Sequence, residues 1–220
     1  PYAIPALAAT FAAIAMLALT YRRRHAPGAP AFSLLIAATA VWSGFDAAIL
    51  CAPDLPTKLL LTKFEYVGIV SAPLAWLVFA VRYCGQDRWL RGWRGPALAI
   101  VPAVTLVGVA TLERHRWIYE SVRLVERDST LVLAADYGIW FVVFSIYSYL
   151  LIAVSTFLFL WTLSAAERAF RGQMIAVVVA PLLTLVGNAV YLSKLTAVPP
   201  IDLTPVGFTL GMILMSLALF

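Results

Sequence analysis

Ionisable and polar side chains that interrupt long apolar segments are the residues of this chain that could do chemistry. Asp46, Lys63 and Glu65 lie within or beside apolar runs. An ionisable group at bilayer depth costs on the order of 3 kcal/mol, so each one needs a partner or a task. The polar and aromatic residues that accompany them near the ends of apolar runs are Tyr66, Trp140, Asn188, Tyr191 and Asp202. Together they suit recognition of a ligand.

Catalytic and metal-dependent chemistry find little support in the residues, and no cofactor is predicted. The only histidines, His25 and His115, have no partner at metal-ligand spacing, and there is no cysteine cluster. No glycine-rich phosphate loop is present. A retinal protein would need a lysine in the last apolar run, which has none. The chain is therefore not predicted to be an enzyme within this stretch.

The composition is that of a membrane protein. Of 220 residues, 63% are hydrophobic and only 12% are charged, and the mean hydropathy is +0.92, which a water-soluble domain does not carry. The net charge of +5 comes from short basic clusters between apolar runs. Such clusters fit lipid phosphates better than a nucleic acid, so membrane lipids are expected partners and nucleic-acid binding is not.

Windows of about 20 apolar residues, the length that crosses a bilayer, predict an all-α bundle of seven transmembrane helices. The predicted spans are 2–21, 32–51, 62–83, 96–111, 137–161, 174–192 and 203–220. The fourth is the shortest. Several spans contain or begin with proline, which membrane helices tolerate when neighbouring helices satisfy the freed carbonyl groups.

The loop charges predict the orientation. Nine cations follow the first, third and fifth spans, at Arg22, Arg23, Arg24, Arg82, Arg88, Arg91, Arg94, Arg168 and Arg171. The opposite face has seven cations, and four of these alternate with acidic residues in one long loop. Because dense positive loops face the cytoplasm, the N-terminus is expected outside and the C-terminus inside.

The long loop 112–136 is predicted to form a small extracellular β-hairpin between the fourth and fifth helices. Polar and apolar residues alternate from Tyr119 to Leu124, and a break at Arg127-Asp128-Ser129 precedes Leu131-Val132-Leu133. Trp117 and Tyr119 fit simple anchoring at the membrane interface. The alternative is that the hairpin forms a lid over an extracellular pocket.

With this orientation, the eight polar and aromatic residues named first lie in the outer half of the bundle and could line one outward-opening pocket. Two alternatives are open. Asp46 and Lys63 could form a structural ion pair between adjacent helices. Asp202, which precedes Thr204 and Pro205, could cap the seventh helix.

Short motifs recur in a characteristic order along the chain. They are Pro27-Gly28-Ala29, Trp42, Lys63 with Glu65-Tyr66-Val67-Gly68, Pro73-Leu74-Ala75-Trp76, Phe79, Thr111 with His115, Tyr137-Gly138-Ile139-Trp140-Phe141, Tyr147-Ser148-Tyr149-Leu150, Arg171-Gly172-Gln173, Asn188, and Asp202-Leu203-Thr204-Pro205 with Phe208. In this order the chain resembles the seven-transmembrane N-terminal sensor region of bacterial histidine kinases, a region also found ahead of diguanylate cyclase modules. It departs from the family pattern at Asp46, where glutamate is frequent, and at Leu112.

The resemblance implies a receptor domain over 1–220 in the bacterial inner membrane, followed by a cytoplasmic kinase module of the same protein. It also implies a homodimer. A small-molecule or lipid ligand would bind among the outer helix ends and shift the packing of the bundle. Two other functions remain open: a small-solute transporter or channel, which needs a pathway to the inner face, and a structural membrane subunit, which needs a solid core.

Overall fold

The structure is a computed structural model that describes residues 2–22, 28–127, 130–165, 175, 178–179, 182, 184–185, 188 and 204–219. Helices dominate the part it describes. They are α1 (Ile4–Arg22), α2 (Ala29–Cys51), α3 (Leu55–Tyr83), α4 (Arg94–Ala110), α5 (Ile139–Ala165) and α6 (Thr204–Leu219). Two strands, β1 (Tyr119–Arg127) and β2 (Thr130–Tyr137), lie between α4 and α5, and short 3₁₀ turns occur at Asp87–Leu90 and Leu112–Arg114.

Within the part of the chain that the structure describes, four helices are long and apolar enough to cross a membrane: α1, α2, α3 and the segment Ile139–Thr162 of α5. They match the first, second, third and fifth predicted spans, and the chain is a multi-pass membrane protein. Helix α4 and the segment Thr204–Ser216 of α6 are shorter apolar helices. Most of the sixth predicted span lies outside the described residues, so seven crossings remain a prediction.

Helix α3 begins about two turns before the predicted span, because Asp54 caps it. Its carboxylate accepts hydrogen bonds from the Thr57 backbone N–H and hydroxyl, both at 2.9 Å, and Pro56 occupies the first turn. The backbone hydrogen bond from Thr57 is the main cause that lowers the pKa of Asp54. With 29 residues, α3 is about 44 Å long and extends beyond the hydrocarbon layer.

Close packing joins α1, α2 and α3. A Cβ on Gly68 of α3 would lie 2.5 Å from the Trp42 backbone nitrogen and 2.6 Å from the Ala38 carbonyl oxygen of α2, so only glycine allows this approach. On the other side of α2, the Thr10 hydroxyl donates to the Ser43 hydroxyl at 2.9 Å. Small residues and hydroxyl contacts of this kind are typical of helix association in lipid.

The fourth predicted span, 96–111, is interrupted in the structure. A short helix, Arg94–Leu98, ends at Ala99, and a second helix, Ile100–Ala110, follows. The eleven residues of the second piece span only about 17 Å. Helix α4 therefore has an irregular turn at Ala99 and is shorter than the four membrane-length helices.

The predicted hairpin is present. Strands β1 and β2 pair antiparallel from Tyr119 opposite Tyr137 to Arg127 opposite Thr130. Tyr137, which was predicted to open the fifth span, is instead the last residue of β2, and α5 begins at Ile139. Gly138 separates them because a Cβ there would lie 2.3 Å from the Trp117 carbonyl oxygen.

Candidate functional site

A cavity of about 170 Å³ lies where the hairpin meets the helices. Helix α2 finishes, and helices α3 and α5 begin, at the same end of the bundle; this is the hairpin end. The described lining residues are Trp42, Asp46, Ile49, Leu50, Thr62, Glu65, Tyr66, Ile69, Pro73, Tyr119, Val132, Leu133, Tyr137, Phe141, Phe144, Ser145, Ser148, Tyr149, Ile152, Thr184, Leu185, Asn188, Thr204 and Phe208.

Each long helix presents one face to the cavity. On α2 the lining positions are separated by three or four residues, which places them on one side of a helix. The same spacing recurs in α3 and α5. The three stripes are Trp42, Asp46, Ile49 and Leu50; Thr62, Glu65, Tyr66, Ile69 and Pro73; and Phe141, Phe144, Ser145, Ser148, Tyr149 and Ile152. The helical period therefore collects residues that are scattered in the sequence.

Two carboxylate side chains line the cavity from adjacent helices. Asp46 of α2 is 8% exposed and Glu65 of α3 is 9% exposed. Gly68, one turn beyond Glu65, brings the backbones of α2 and α3 together at Trp42. The close contact of the two helices holds both acidic residues at one wall.

A chain of hydrogen bonds crosses the cavity wall and links α5 to α6 through Asn188. The Tyr149 hydroxyl of α5 donates to the Asn188 side-chain oxygen. The Asn188 amide nitrogen donates to the Thr204 hydroxyl of α6 at 3.3 Å. All three residues line the cavity, so a molecule inside it would touch the groups that couple these segments.

The hairpin forms the outermost wall, through aromatic side chains. Tyr119 lies edge-on to Tyr66 of α3 at a centroid distance of 6.3 Å and 5.9 Å from Tyr137. Tyr137 in turn stacks on Phe141 of α5 at 3.8 Å. Burial, reinforced by the neighbouring Tyr66 and Tyr137, holds the pKa of Tyr119 well above its ordinary value, so its hydroxyl stays neutral at physiological pH.

Packed aromatic side chains close the bundle below the cavity. Trp42 and Phe208, which line the cavity, are in contact at 5.9 Å. Further from the hairpin end, Phe79 contacts Phe32 at 5.2 Å and Phe159 at 5.9 Å. Phe32, Phe79 and Phe159 are at most 1% exposed. The described part of the bundle thus has a cluster of packed aromatic and aliphatic side chains beneath the cavity.

Four of the eight predicted site residues line the cavity: Asp46, Glu65, Tyr66 and Asn188. Lys63 does not. Its ammonium binds the Glu113 carboxylate at 2.5 Å, so the alternative of an ion pair between Lys63 and Asp46 is not what the structure contains. The pairing partner comes from the loop after α4, fifty residues away, which sequence spacing does not indicate.

Trp140 also lies away from the cavity. Its indole N–H donates to the Thr105 hydroxyl at 2.9 Å, which fastens α5 to α4. Tyr191 and Asp202 lie outside the described residues. Half of the eight predicted site residues therefore lie together in the cavity lining. Lys63 and Trp140 instead form contacts between elements.

The sequence analysis did not name Tyr149, Ser145, Ser148 or Thr62 as site residues, although all four line the cavity. Their spacing on α5 carried a usable signal, because Ser145, Ser148 and Tyr149 follow Phe141 at one helical face. Hydroxyl groups in a membrane helix are easily overlooked, since they can bond their own backbone. Ser148 does so, donating to the Phe144 carbonyl oxygen at 2.8 Å.

The arrangement is suited to binding. Among the described residues there is no group of three His, Cys, Asp or Glu side chains that could hold a metal ion. The cavity instead offers carboxylates, hydroxyls, an amide and aromatic rings, which can orient a small molecule.

No curated protein matches the chain significantly. The family described as the N-terminal 7TM region of histidine kinase matches residues 5–220. This region is the sensor part of a histidine kinase and is not itself catalytic. Because the match covers nearly the whole chain, the protein belongs to the family of N-terminal 7TM regions of histidine kinases.

Proposed function

We propose that this domain is a receptor that binds a small ligand in the cavity at the hairpin end and passes a change of helix packing to a cytoplasmic kinase module. The observation that carries the proposal is the cavity itself, which is walled by α2, α3, α5, α6 and the hairpin. It contains two buried acidic residues and lies above a packed apolar core. Family membership supplies the signalling context.

In this proposal the bundle has seven spans, with the hairpin end and the N-terminus outside the cell. The arginines at the opposite end, Arg82, Arg88, Arg91 and Arg94, support that orientation. The hairpin then acts as the outer wall of the ligand site, since Tyr119 and Tyr137 line the cavity. Residues 1–220 form one sensor domain in the bacterial inner membrane, acting as a homodimer.

Helix α6 is the proposed route of the signal. Thr204 and Phe208 of α6 line the cavity, and Met212 and Met215, one and two turns further, are at most 1% exposed. A ligand that prefers one packing of α6 against Trp42 shifts the population toward that packing. The end of α6 would carry the change to the kinase.

The packed core favours a receptor over the two alternatives. A transporter or channel needs a polar pathway to the other face, whereas the buried residues below the cavity, among them Phe32, Phe79 and Phe159, form an apolar cluster in the described bundle. A purely structural subunit has no use for a cavity that holds two buried carboxyl groups.

A cavity-filling substitution tests the proposal. Ser145 lines the cavity, and the adjacent Ile146 is 56% exposed on another face of α5. In thermal-stability screens of the purified protein against a ligand library, hits should stabilise the wild type and Ile146→Phe but not Ser145→Phe. Hits that stabilise Ser145→Phe as strongly as the wild type would place the ligand elsewhere and reject the proposal.

A further inference from the structure

A second groove lies between α3, α4 and α5, toward the end of the bundle opposite the hairpin. Its volume is about 350 Å³, and it shares no described lining residue with the candidate site. The lining is apolar apart from one arginine. The lining residues are Leu77, Val81, Trp89, Leu90, Trp93, Arg94, Ala97, Leu98, Leu151 and Val154.

Tyr147 marks the deep end of this groove. Its hydroxyl donates to the Leu98 carbonyl oxygen at 2.6 Å, which fastens α5 to α4. From this contact the groove extends past Leu151 and Val154, one and two turns further along α5, to Arg94 at the start of α4. Val154 is 38% exposed, so the groove is open at the surface that faces lipid.

Two tryptophan side chains flank the end of the groove near Arg94. Trp89 is 42% exposed and Trp93 is 77% exposed, and Gly92, with a φ of 67°, turns the chain between them. Exposed indoles of membrane proteins lie at the level of the lipid headgroups. The groove therefore extends from headgroup level into the hydrocarbon layer.

The segment beside this end of the groove is basic. Arg88, Arg91 and Arg94 are exposed and form no salt bridge with another described residue. Asp87, the single acidic residue between α3 and α4, lies 3.9 Å from Arg82. Guanidinium groups bind phosphate oxygens strongly, often through two parallel hydrogen bonds. The segment is therefore complementary to a phosphate group.

The positive charge does not depend on the loop after α5. Within 166–173, Arg168 and Arg171 outnumber Glu167, so that stretch adds net positive charge. A two-fold contact between copies on this groove would bring like arginines together, and an inorganic anion would leave the apolar lining uncovered. The molecule that matches both features is anionic at one end and apolar along its length.

We propose that this groove binds an anionic diacyl phospholipid. The phosphate group binds Arg94 and the neighbouring Arg88 and Arg91, and an acyl chain lies along Leu151 and Val154. This lipid site goes beyond the proposed receptor function, because the groove and the candidate site have separate linings.

The test compares lipids that share their acyl chains and differ in charge. Dioleoyl phosphatidylglycerol and dioleoyl phosphatidylcholine are each titrated into the purified protein in a neutral detergent. Glycerophosphoglycerol, the anionic headgroup without acyl chains, is the third probe. Native mass spectrometry gives the apparent Kd, and the melting temperature is recorded in parallel. We expect phosphatidylglycerol to bind more tightly than phosphatidylcholine and to stabilise the protein, with little effect from the free headgroup.

Arginine variants test the headgroup contact. One arginine near an anionic lipid surface contributes about a fivefold change in affinity. Arg94→Gln should therefore raise the apparent Kd for phosphatidylglycerol about fivefold, and the triple variant with Arg88→Gln and Arg91→Gln about a hundredfold. Arg22→Gln is the matched control, because Arg22 is exposed at the same end of the bundle, in the last turn of α1. It should bind phosphatidylglycerol as the wild type does.

A second pair of variants tests the acyl-chain contact. Val154→Trp fills the groove and should weaken binding of phosphatidylglycerol. Val142→Trp makes the same change on α5 at a residue that is 47% exposed and does not line the groove, and it should have no effect. If Val154→Trp does not fold, the variants of the exposed arginines carry the test.

Several outcomes would overturn the lipid site. They are equal affinity for the two lipids, equally tight binding of the free headgroup, and an Arg22→Gln variant that loses as much affinity as Arg94→Gln. A Val154→Trp variant that binds phosphatidylglycerol normally but changes the oligomeric state would assign the groove to a contact between copies. The receptor proposal is independent of all these results, since Ser145→Phe tests it at the other cavity.

Discussion

Lys63 and Glu113 form an ion pair that ties the start of α3 to the loop after α4. The side chains of Lys63 and Glu113 are 24% and 60% exposed. The hydrogen bond from Lys63 is the main cause that lowers the pKa of Glu113 below its ordinary value. Because the pair is partly solvated, its contribution to stability is small and sensitive to salt.

The pair should contribute to stability only where Glu113 is ionised. Its carboxyl has a lowered pKa in the folded state, so the contribution is complete above the unfolded pKa, about 4.3 for glutamate, and is lost as the pH falls through the folded value. We expect Glu113→Gln to lower the melting temperature slightly at pH 7, and this difference from the wild type should shrink as the pH falls below the ordinary range of a glutamate carboxyl.

Glu120 provides the control for this pH experiment. It is exposed on β1 and forms no salt bridge with another described residue. Glu120→Gln should leave the dependence of the melting temperature on pH almost unchanged. A Glu113→Gln difference that is equally large at pH 7 and pH 3 would contradict an ionic contribution of Glu113.

The hydrogen bond between Tyr149 and Asn188 should appear as an energetic coupling. In a double-mutant cycle of Tyr149→Phe and Asn188→Ala, we expect a coupling of about 0.6 kcal/mol, the average for such bonds in membrane proteins. The free energy of unfolding in mixed micelles gives the value.

Tyr147 is the matched control for that cycle. Its hydroxyl donates to the Leu98 carbonyl oxygen at 2.6 Å and does not reach Asn188. Tyr147→Phe combined with Asn188→Ala should therefore show no coupling. A coupling as large as that of Tyr149 would mean that the cycle measures general loosening of α5.

Among single residues, the sequence predicted the polar site residues that interrupt apolar segments. Asp46, Glu65 and Asn188 are conspicuous because polar groups in lipid are costly, and all three line the cavity. Lys63 and Trp140 were equally conspicuous, but their partners, Glu113 and Thr105, lie on elements distant in sequence. Tertiary packing determines which partner each side chain binds, and the spacing of residues in the sequence does not predict it.

The close approach of α2 and α3 at Gly68 is a contact that can be tested. In Gly68→Ala the new methyl group would overlap the backbone of α2, at 2.5 Å from the Trp42 nitrogen. Backbone atoms cannot rotate away, so the helices must separate. We expect a loss of about 1–3 kcal/mol in the free energy of unfolding, measured by denaturation in mixed micelles.

Gly44 offers the matched control on α2. A Cβ there would meet the Thr10 methyl carbon at 3.5 Å, an ordinary van der Waals distance. Gly44→Ala should be neutral or stabilising by up to about 1 kcal/mol, because alanine favours the helix. If the two variants have the same effect, the close approach at Gly68 is not what holds α2 against α3.

The sequence predicted some secondary-structure elements better than others. The hairpin followed from alternation and a turn signal, and the structure has it with strands Tyr119–Arg127 and Thr130–Tyr137. The irregular turn at Ala99 in α4 is not marked by hydropathy, which is continuous there, but Pro102 indicates it, because proline has no N–H to bond the Leu98 carbonyl oxygen. Hydropathy reports the solvent around a segment and does not report where its helical hydrogen bonds are interrupted.

In the whole molecule, the cavity and the packed core divide the bundle into two parts. Lining residues from α2, α3, α5 and α6 gather near the hairpin, while Trp76, Phe79 and Phe159 pack at the other end. A rigid lower core can convert a small change at the cavity into a movement of whole helices, because packed interiors do not deform continuously. In the proposed receptor, this coupling requires that the cavity face the side of the membrane where the ligand is present.

Cysteine labelling in intact bacterial cells tests the predicted orientation of the bundle. Arg123 on β1 and Arg91 before α4 are both exposed and lie toward opposite ends of the bundle. In a background with Cys51→Ser and Cys84→Ser, a membrane-impermeant maleimide should label Arg123→Cys in intact cells. Arg91→Cys should react only after permeabilisation, because arginine-rich loops stay in the cytoplasm. The reverse pattern would place the cavity toward the cytoplasm and exclude an extracellular ligand.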